Sequence, residues 1–334
     1  MAVGLQTHIW NNNLKSILLL MGYPFLLIFL LWLFFTIDAA TGGQTELNPV
    51  MSGFDGIAQH WHVMLVIAGV WFMIAWMFHQ NMINAATGAK PLDRTENPRV
   101  YNLLENLCIS RGIKTPKLFI IESPALNAYA SGISEKSYAV TVTRGIMQAL
   151  DDSELEAVLA HELSHIRNRD VRLLIVGVIF VGMISFFAEM TWRGMVRRSG
   201  GKKDGRAVLI AGLVLAVGYA LALLIRFAIS RKREFMADAG AVELTKNPDA
   251  MANALRKISG HAEMENVPAE VQQMFIENSA DFFSVFATHP PIEERIRVLE
   301  EYAGATRPLP GAAIPAVPTP ATAPAQTPSA GPWG

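Results

Sequence analysis

His161-Glu162-Leu163-Ser164-His165 sets two imidazoles and a carboxylate at helical spacing. Residues four apart share a helix face, so both histidines can reach one metal ion. Glu162 lies next to that face, where it can accept a proton from a water activated at the ion. HExxH is the zinc metallopeptidase pattern. By chance it would arise on the order of once per hundred chains of this composition, so the pentad needs a second observation beside it.

That observation is a third ligand, because catalytic zinc usually takes three protein donors and keeps a fourth position open. Asp170 is near but its i+5 spacing from His165 turns it partly off the ligand face. His8, His60, His62 and His79 lie near or beyond two hydrophobic runs at the start of the chain. Glu234 fits better, since it opens Glu234-Phe235-Met236-Ala237-Asp238, where two acids again share a face at i, i+4. One carboxylate as ligand and Asp238 orienting a ligand histidine is an economical arrangement for zinc. The plain alternative for Glu234 is a surface pair with Arg231 or Arg233. The lone cysteine, Cys108, lies in an apolar helical stretch and reads as a small buried hydrophobe; it excludes an intramolecular disulfide and fits a reducing compartment.

The elements that must bring these residues together are largely hydrophobic. Of 334 residues, 51% are hydrophobic and 17% charged, with a mean hydropathy of +0.28. A net charge of −1 and the absence of a basic, aromatic-interleaved patch argue against a nucleic-acid partner. Uncharged runs at 16–37 and 61–78 are long enough to span a bilayer, and shorter or comparable runs occupy 173–188 and 207–225. The first run is too long for a removable signal and lacks a small-residue cleavage site, so it reads as an anchor. The connection from Asp38 to His60 holds acids but no lysine or arginine, whereas Lys15, Lys90, Arg94 and Arg99 flank the opposite side. The positive-inside rule then places the N-terminus and the region after Phe78 in the cytoplasm. A basic loop from Trp192 to Arg206 conflicts with full crossings by the last two runs. They either cross against that rule or form a hairpin that dips into the membrane or packs against protein, and every arrangement returns the chain to the side it left. An antiparallel hairpin brings Asp170 and Arg231 side by side and closes the gap between His165 and Glu234.

Five stretches follow: 1–85, an N-terminal membrane hairpin; 86–170, the first part of a cytoplasmic catalytic unit; 171–230, a hydrophobic hairpin; 231–302, the second part; and 303–334, an Ala/Pro-rich disordered tail. Asn97-Pro98 opens a helix through about Ser110. Lys117 to Ile121 reads as a buried strand, and Tyr138 to Thr143 as a half-exposed one. Pro124 to Ala130 is either extended or a loop. Ser153 and Glu156 match a capping box at the start of the helix that carries the pentad and runs on toward the membrane. Arg231-Lys232-Arg233 reads as a stop signal at the lipid surface. A helical region over about 234–258 breaks near Asn247-Pro248, and Pro290 to Tyr302 forms a last amphipathic helix. The fold class is α+β and mostly helical, with the HExxH helix beside a small sheet and up to four transmembrane helices.

With the pentad, Arg231-Lys232-Arg233-Glu234-Phe235-Met236-Ala237-Asp238 and Thr288-His289-Pro290-Pro291 in hand, the chain resembles the HtpX family over about residues 10–300. Glu96-Asn97-Pro98 and Glu105-Asn106-Leu107 are similar to that family too. The resemblance implies a zincin-like, membrane-bound zinc endopeptidase related to the CAAX prenyl proteases. It implies His161, His165 and Glu234 as ligands of one Zn2+ per subunit, Glu162 as general base and Asp238 as support for a ligand histidine. It makes His289 a group that approaches the site and stabilises the developing oxyanion. Asn127, Ala128 and Tyr129 resemble the segment lining the substrate cleft, where an edge strand would bind an extended peptide. It further implies membrane-protein or unfolded polypeptide substrates, a bilayer as partner, a bacterial inner-membrane location with the site facing the cytoplasm, and a role in quality control under stress.

Two other classes compete. A zinc transporter or metal scaffold would want ligands inside the hydrophobic runs, yet apart from His62 these lack His, and no acid appears until Glu189 at a margin. A catalytically silent adaptor would not need Glu162, which is present.

Overall fold

The computed structural model describes residues 48–176, 232–264, 267, 269–272, 274–276 and 290–306, with isolated positions between 14 and 39 and at 179, 212–213 and 216–218. The expected spans at 16–37, 173–188 and 207–225, most of the tail, and His289 fall largely or wholly outside the described residues.

Helix α1 (Pro49–Thr87) begins where the Asn48 side chain accepts from Val50 N–H and Pro49 sits at the first helical position. It ends at Gly88, whose φ of 69° needs a residue without a Cβ penalty. The helix takes in the expected 61–78 span. Its part from Leu65 to Thr87 is long and apolar enough to cross a membrane, and is the only such helix among the described residues. Leu65, Val66, Met73 and Met77 are exposed along it. Its C-terminal end reaches the sheet: Gln80 Oε1 accepts from Ser131 Oγ at 2.9 Å, and Thr87 Oγ1 lies 3.1 Å from the Tyr129 hydroxyl.

The sheet has four strands, β1 (Lys90–Pro91), β2 (Lys117–Ile121), β3 (Ala128–Ser131) and β4 (Ala139–Thr143), in the order β1-β2-β4-β3. β2 and β4 run parallel; β1 and β3 are antiparallel to their neighbours, with Ala130 opposite Val140. The segment Pro124 to Ala130 is thus loop over 124–127 and strand from Ala128, where β3 forms one edge of the sheet. β4 differs from the half-exposed strand expected of it: all five residues are buried. Its alternation of Val with Ala and Thr still fits burial on both faces, because these polar-face residues are small and the Thr143 hydroxyl is spent on the Ala125 carbonyl and on capping the next helix.

Helix α2 (Pro98–Arg111) is capped by Asn97 and packs Val100, Leu104 and Leu107 inward; Cys108 is buried with them, and burial pushes its thiol up to about 11. After the short α3 (Arg144–Ala149), helix α4 (Asp152–Arg167) carries the pentad. Its capping box is Asp151 with Glu154, two residues earlier than Ser153 with Glu156, and both reciprocal bonds are 2.9 Å. Glu154 also pairs with Lys257 at 2.6 Å, tying the start of α4 to helix α6 (Pro248–Ile258). Leu155, Val158, Leu159 and Leu163 are fully buried, each stabilising the fold by roughly 1.5–3 kcal/mol. Helix α5 (Lys232–Thr245) packs along α4, with the expected break at Asn247, which caps α6. The short α7 (Ala269–Gln272) and the last helix, α8 (Ile292–Tyr302), complete the described elements.

Candidate metal centre

Two helices and one turn make the centre. α4 presents His161 and His165 from successive turns, their rings edge to face with centroids 4.7 Å apart. The Nε2 atoms face each other at 3.1 Å. From α5, Glu234 brings Oε2 to 3.6 Å from His161 Nε2 and Oε1 to 3.5 Å from His165 Nε2. Ligand atoms of these three residues lie within 4.8 Å of one another. α5 can come this close because Gly240 lies against Ser164 of α4, where a Cβ would collide with the Ser164 hydroxyl.

Each imidazole is held from behind by its own carboxylate. His161 Nδ1 lies 2.9 Å from Asp238 Oδ1, and His165 Nδ1 3.3 Å from Asp170 Oδ2. Nδ1–H then donates to the acid, which leaves the Nε2 lone pair of each ring aimed at the shared point. Asp170 reaches His165 because α4 does not run on. It stops at Arg167, Arg169 adopts a left-handed φ of 61°, and helix resumes over 170–176. That turn carries Asp170 back to His165 despite its i+5 spacing.

Two arginines balance the acids. Arg295 is fully buried and forks onto Asp238, with Nε to Oδ2 at 2.9 Å and Nη2 to Oδ1 at 2.6 Å. Its Nη1 lies 3.5 Å from Glu234 Oε2 and donates to the Ile276 carbonyl at 3.0 Å. Arg233, in the cluster read as a lipid-surface signal, is instead buried, with Nε 3.5 Å from Asp170 Oδ1. Burial lowers its readiness to stay charged, which Asp170 and Glu234 oppose.

Burial sets the charges. Desolvation works against a proton on His161, but Asp238 and Glu234 outweigh it and raise the imidazole to about 9. Burial pushes Asp238 up, yet Arg295 and His161 beside it hold its carboxyl below the ordinary aspartate value. Glu162, 1% exposed, is raised, chiefly by desolvation, against the pull of the two histidines. A carboxylate so raised takes up a proton more readily, as a general base must.

The donor set fits zinc. Ligands at about 2.0–2.1 Å around a tetrahedral ion stand about 3.3 Å apart, close to the spacings seen between these atoms. Two imidazole lone pairs facing at 3.1 Å repel each other unless a cation or proton lies between them. The acid pair behind them keeps that cation's place favourable.

Of the residues read from sequence, His161, His165, Glu162, Glu234 and Asp238 come together here. Asn127, Ala128 and Tyr129 lie at β3, all about 1% exposed and in contact with the chain's own groups. Arg295 was missed, since an arginine on an amphipathic helix reads as solvated. In the sequence, Asp170 stands out only as a candidate ligand. Its signal was its place just past a helix end, where a turn can fold it back.

The fold and centre define a metallopeptidase of the HExxH type. A profile of peptidase family M48 matches residues 94–303, and the chain belongs to that family. It is 47% identical to a protein of Bacteroides fragilis called "Protease HtpX homolog", over 90% of this chain and 99% of that one. A protein of the same description from Lactobacillus acidophilus is 37% identical over 71% of this chain and 85% of its own length. Among solved structures, Ste24p of S. mikatae aligns over 87% of this chain and 66% of its own, at 18% identity and a TM-score of 0.46.

Proposed function

We propose that this M48 metallopeptidase is a zinc-dependent endopeptidase of the bacterial inner membrane that cleaves membrane or misfolded proteins at the cytoplasmic face. The observation that carries the reading is the convergence of His161, His165 and Glu234, each histidine backed by an aspartate, beside a buried Glu162. Zinc bound there would supply a Lewis acid that polarises the scissile carbonyl and acidifies water. Glu162 takes the water's proton and later passes it to the leaving amine. Asp238 and Asp170 keep the rings oriented throughout. His289, placed by the resemblance, would help hold the oxyanion. Support for a membrane-proximal cleft comes from α1, whose apolar length ends on β3 through Thr87 and Tyr129. The loop charges favour the cytoplasmic side.

The test is cleavage of a single-span membrane protein co-reconstituted with the purified chain in liposomes. Cleavage should stop on chelation and return with added zinc. Cleavage that survives complete metal removal would contradict the proposal.

A further inference from the structure

Ala128 and Ala130 carry the outward-facing peptide groups of β3. Thr143 N–H donates to the Asn127 carbonyl at 3.0 Å, so 127, 129 and 131 make the ladder bonds to β4. The groups of 128 and 130 therefore point off the sheet edge. This edge runs beside Glu162: α4 packs against β3, and the Ala130 N–H lies near enough to steady the Glu162 carboxylate. An extended polypeptide paired with it would lie across the catalytic glutamate.

The edge is already taken by the chain itself. Ile276 N–H donates to the Ala128 carbonyl at 3.0 Å and to Asn127 Oδ1 at 3.1 Å. The same Oδ1 accepts from Ala128 N–H at 2.9 Å, and Asn127 Nδ2 donates to the Ala262 carbonyl at 2.9 Å. The Phe275 ring lies on Tyr129 with centroids 5.5 Å apart, and Met274, Phe275 and Ile276 are all buried. The Ile276 carbonyl is held by Arg295, the residue that also grips Asp238.

We propose that Met274–Ile276 is a strap standing in the place of a substrate backbone at Ala128, and that polypeptides bind by exchanging with it. The inference rests on the protease reading above. Exchange loses no ladder bond, because an incoming N–H replaces that of Ile276, and apolar side chains of the incoming chain replace Phe275 over β3. Only a chain with an extended, unpaired apolar stretch can make both replacements, so the strap selects unfolded polypeptide and excludes folded protein. It also restrains the enzyme when no such chain is present, since binding is weakened by the fraction of molecules with the strap in place.

The experiment uses the full-length, zinc-loaded chain in detergent micelles with casein. Ile276→Pro deletes the donor to Ala128 and Asn127; Phe275→Ala loosens the strap without touching that donor. Both should keep their zinc and raise kcat/KM at least fivefold and twofold respectively. In zinc-loaded Glu162→Gln, casein at saturating concentration should strip hydrogen-exchange protection from the Ile276 amide. If wild type cleaves nothing, the protease reading itself fails. If wild type cleaves while both variants retain zinc and cleave no faster, the strap is overturned. Should either variant lose zinc, the exchange result decides: continued protection of Ile276 under saturating casein overturns the strap.

Discussion

Asp238 Oδ1 stands 2.9 Å from His161 Nδ1 and so fixes which nitrogen of that ring faces Glu234 and the proposed metal position. Asp238→Asn keeps the shape but lets the amide meet Nδ1 as a donor, favouring the wrong tautomer. Metal affinity should fall about 10–100-fold, by the size such supporting acids usually have. Competition with a chromogenic chelator measures it. Affinity within twofold of wild type would remove Asp238 from this role.

Arg295 neutralises Asp238 from the other side. Arg295→Met leaves buried carboxylates without their countercharge, and breaking a buried pair this way costs about 3–5 kcal/mol. The unfolding midpoint in denaturant should drop accordingly, with Arg295→Lys falling between. A midpoint unchanged in Arg295→Met would show that Arg295 is not the countercharge.

Gly240 sets the spacing of α4 and α5. Gly240→Ala must push Ser164 aside or move the helix that bears Glu234 and Asp238. Zinc retention after gel filtration should fall well below one ion per chain. Full retention together with full activity would show that the contact is soft.

The metal-free protein should have its own pH signature. His161 is raised to about 9 in the fold, against an ordinary value near 6.5. A raised basic group contributes stability that is complete below its unfolded pKa and is lost as pH rises through the folded one. The Tm of the metal-free chain should thus decline between about pH 6.5 and 9. With zinc on the ring there is no such proton to lose, and the decline should vanish. Asp238 works in the opposite sense: its lowered carboxyl adds stability above the ordinary aspartate range that is lost on acidification below it. Equal slopes in the two forms from pH 6.5 to 9 would contradict the assignment of His161.

Much of this was readable from residues. HExxH spacing is a property of one helix, so His161, Glu162 and His165 could be placed without knowing anything else. Glu234 and Asp238 came from a second i, i+4 pair, and the Asn97, Asn247 and Pro98 punctuation marked helix starts well. What could not be read depended on distant elements meeting. Nothing in Ile292 to Tyr302 distinguishes Arg295 from the solvated Arg297 until α8 is packed on α5. Asp170 became a partner of His165 only through the left-handed turn at Arg169, a conformation that non-glycine residues adopt uncommonly. The burial of Arg233 likewise reflects Asp170 beside it, whereas sequence alone showed three adjacent basic residues and suggested lipid.

The central claim is that Glu162 is the base in a zinc site built from His161, His165 and Glu234. Its most direct test is Glu162→Gln, assayed for zinc content and for cleavage of the reconstituted membrane substrate in the same preparation. The account predicts one zinc per chain, as in wild type, with cleavage reduced by about 10²–10⁴-fold, the usual contribution of a positioned general base. Wild-type cleavage by a zinc-loaded Glu162→Gln protein would contradict it.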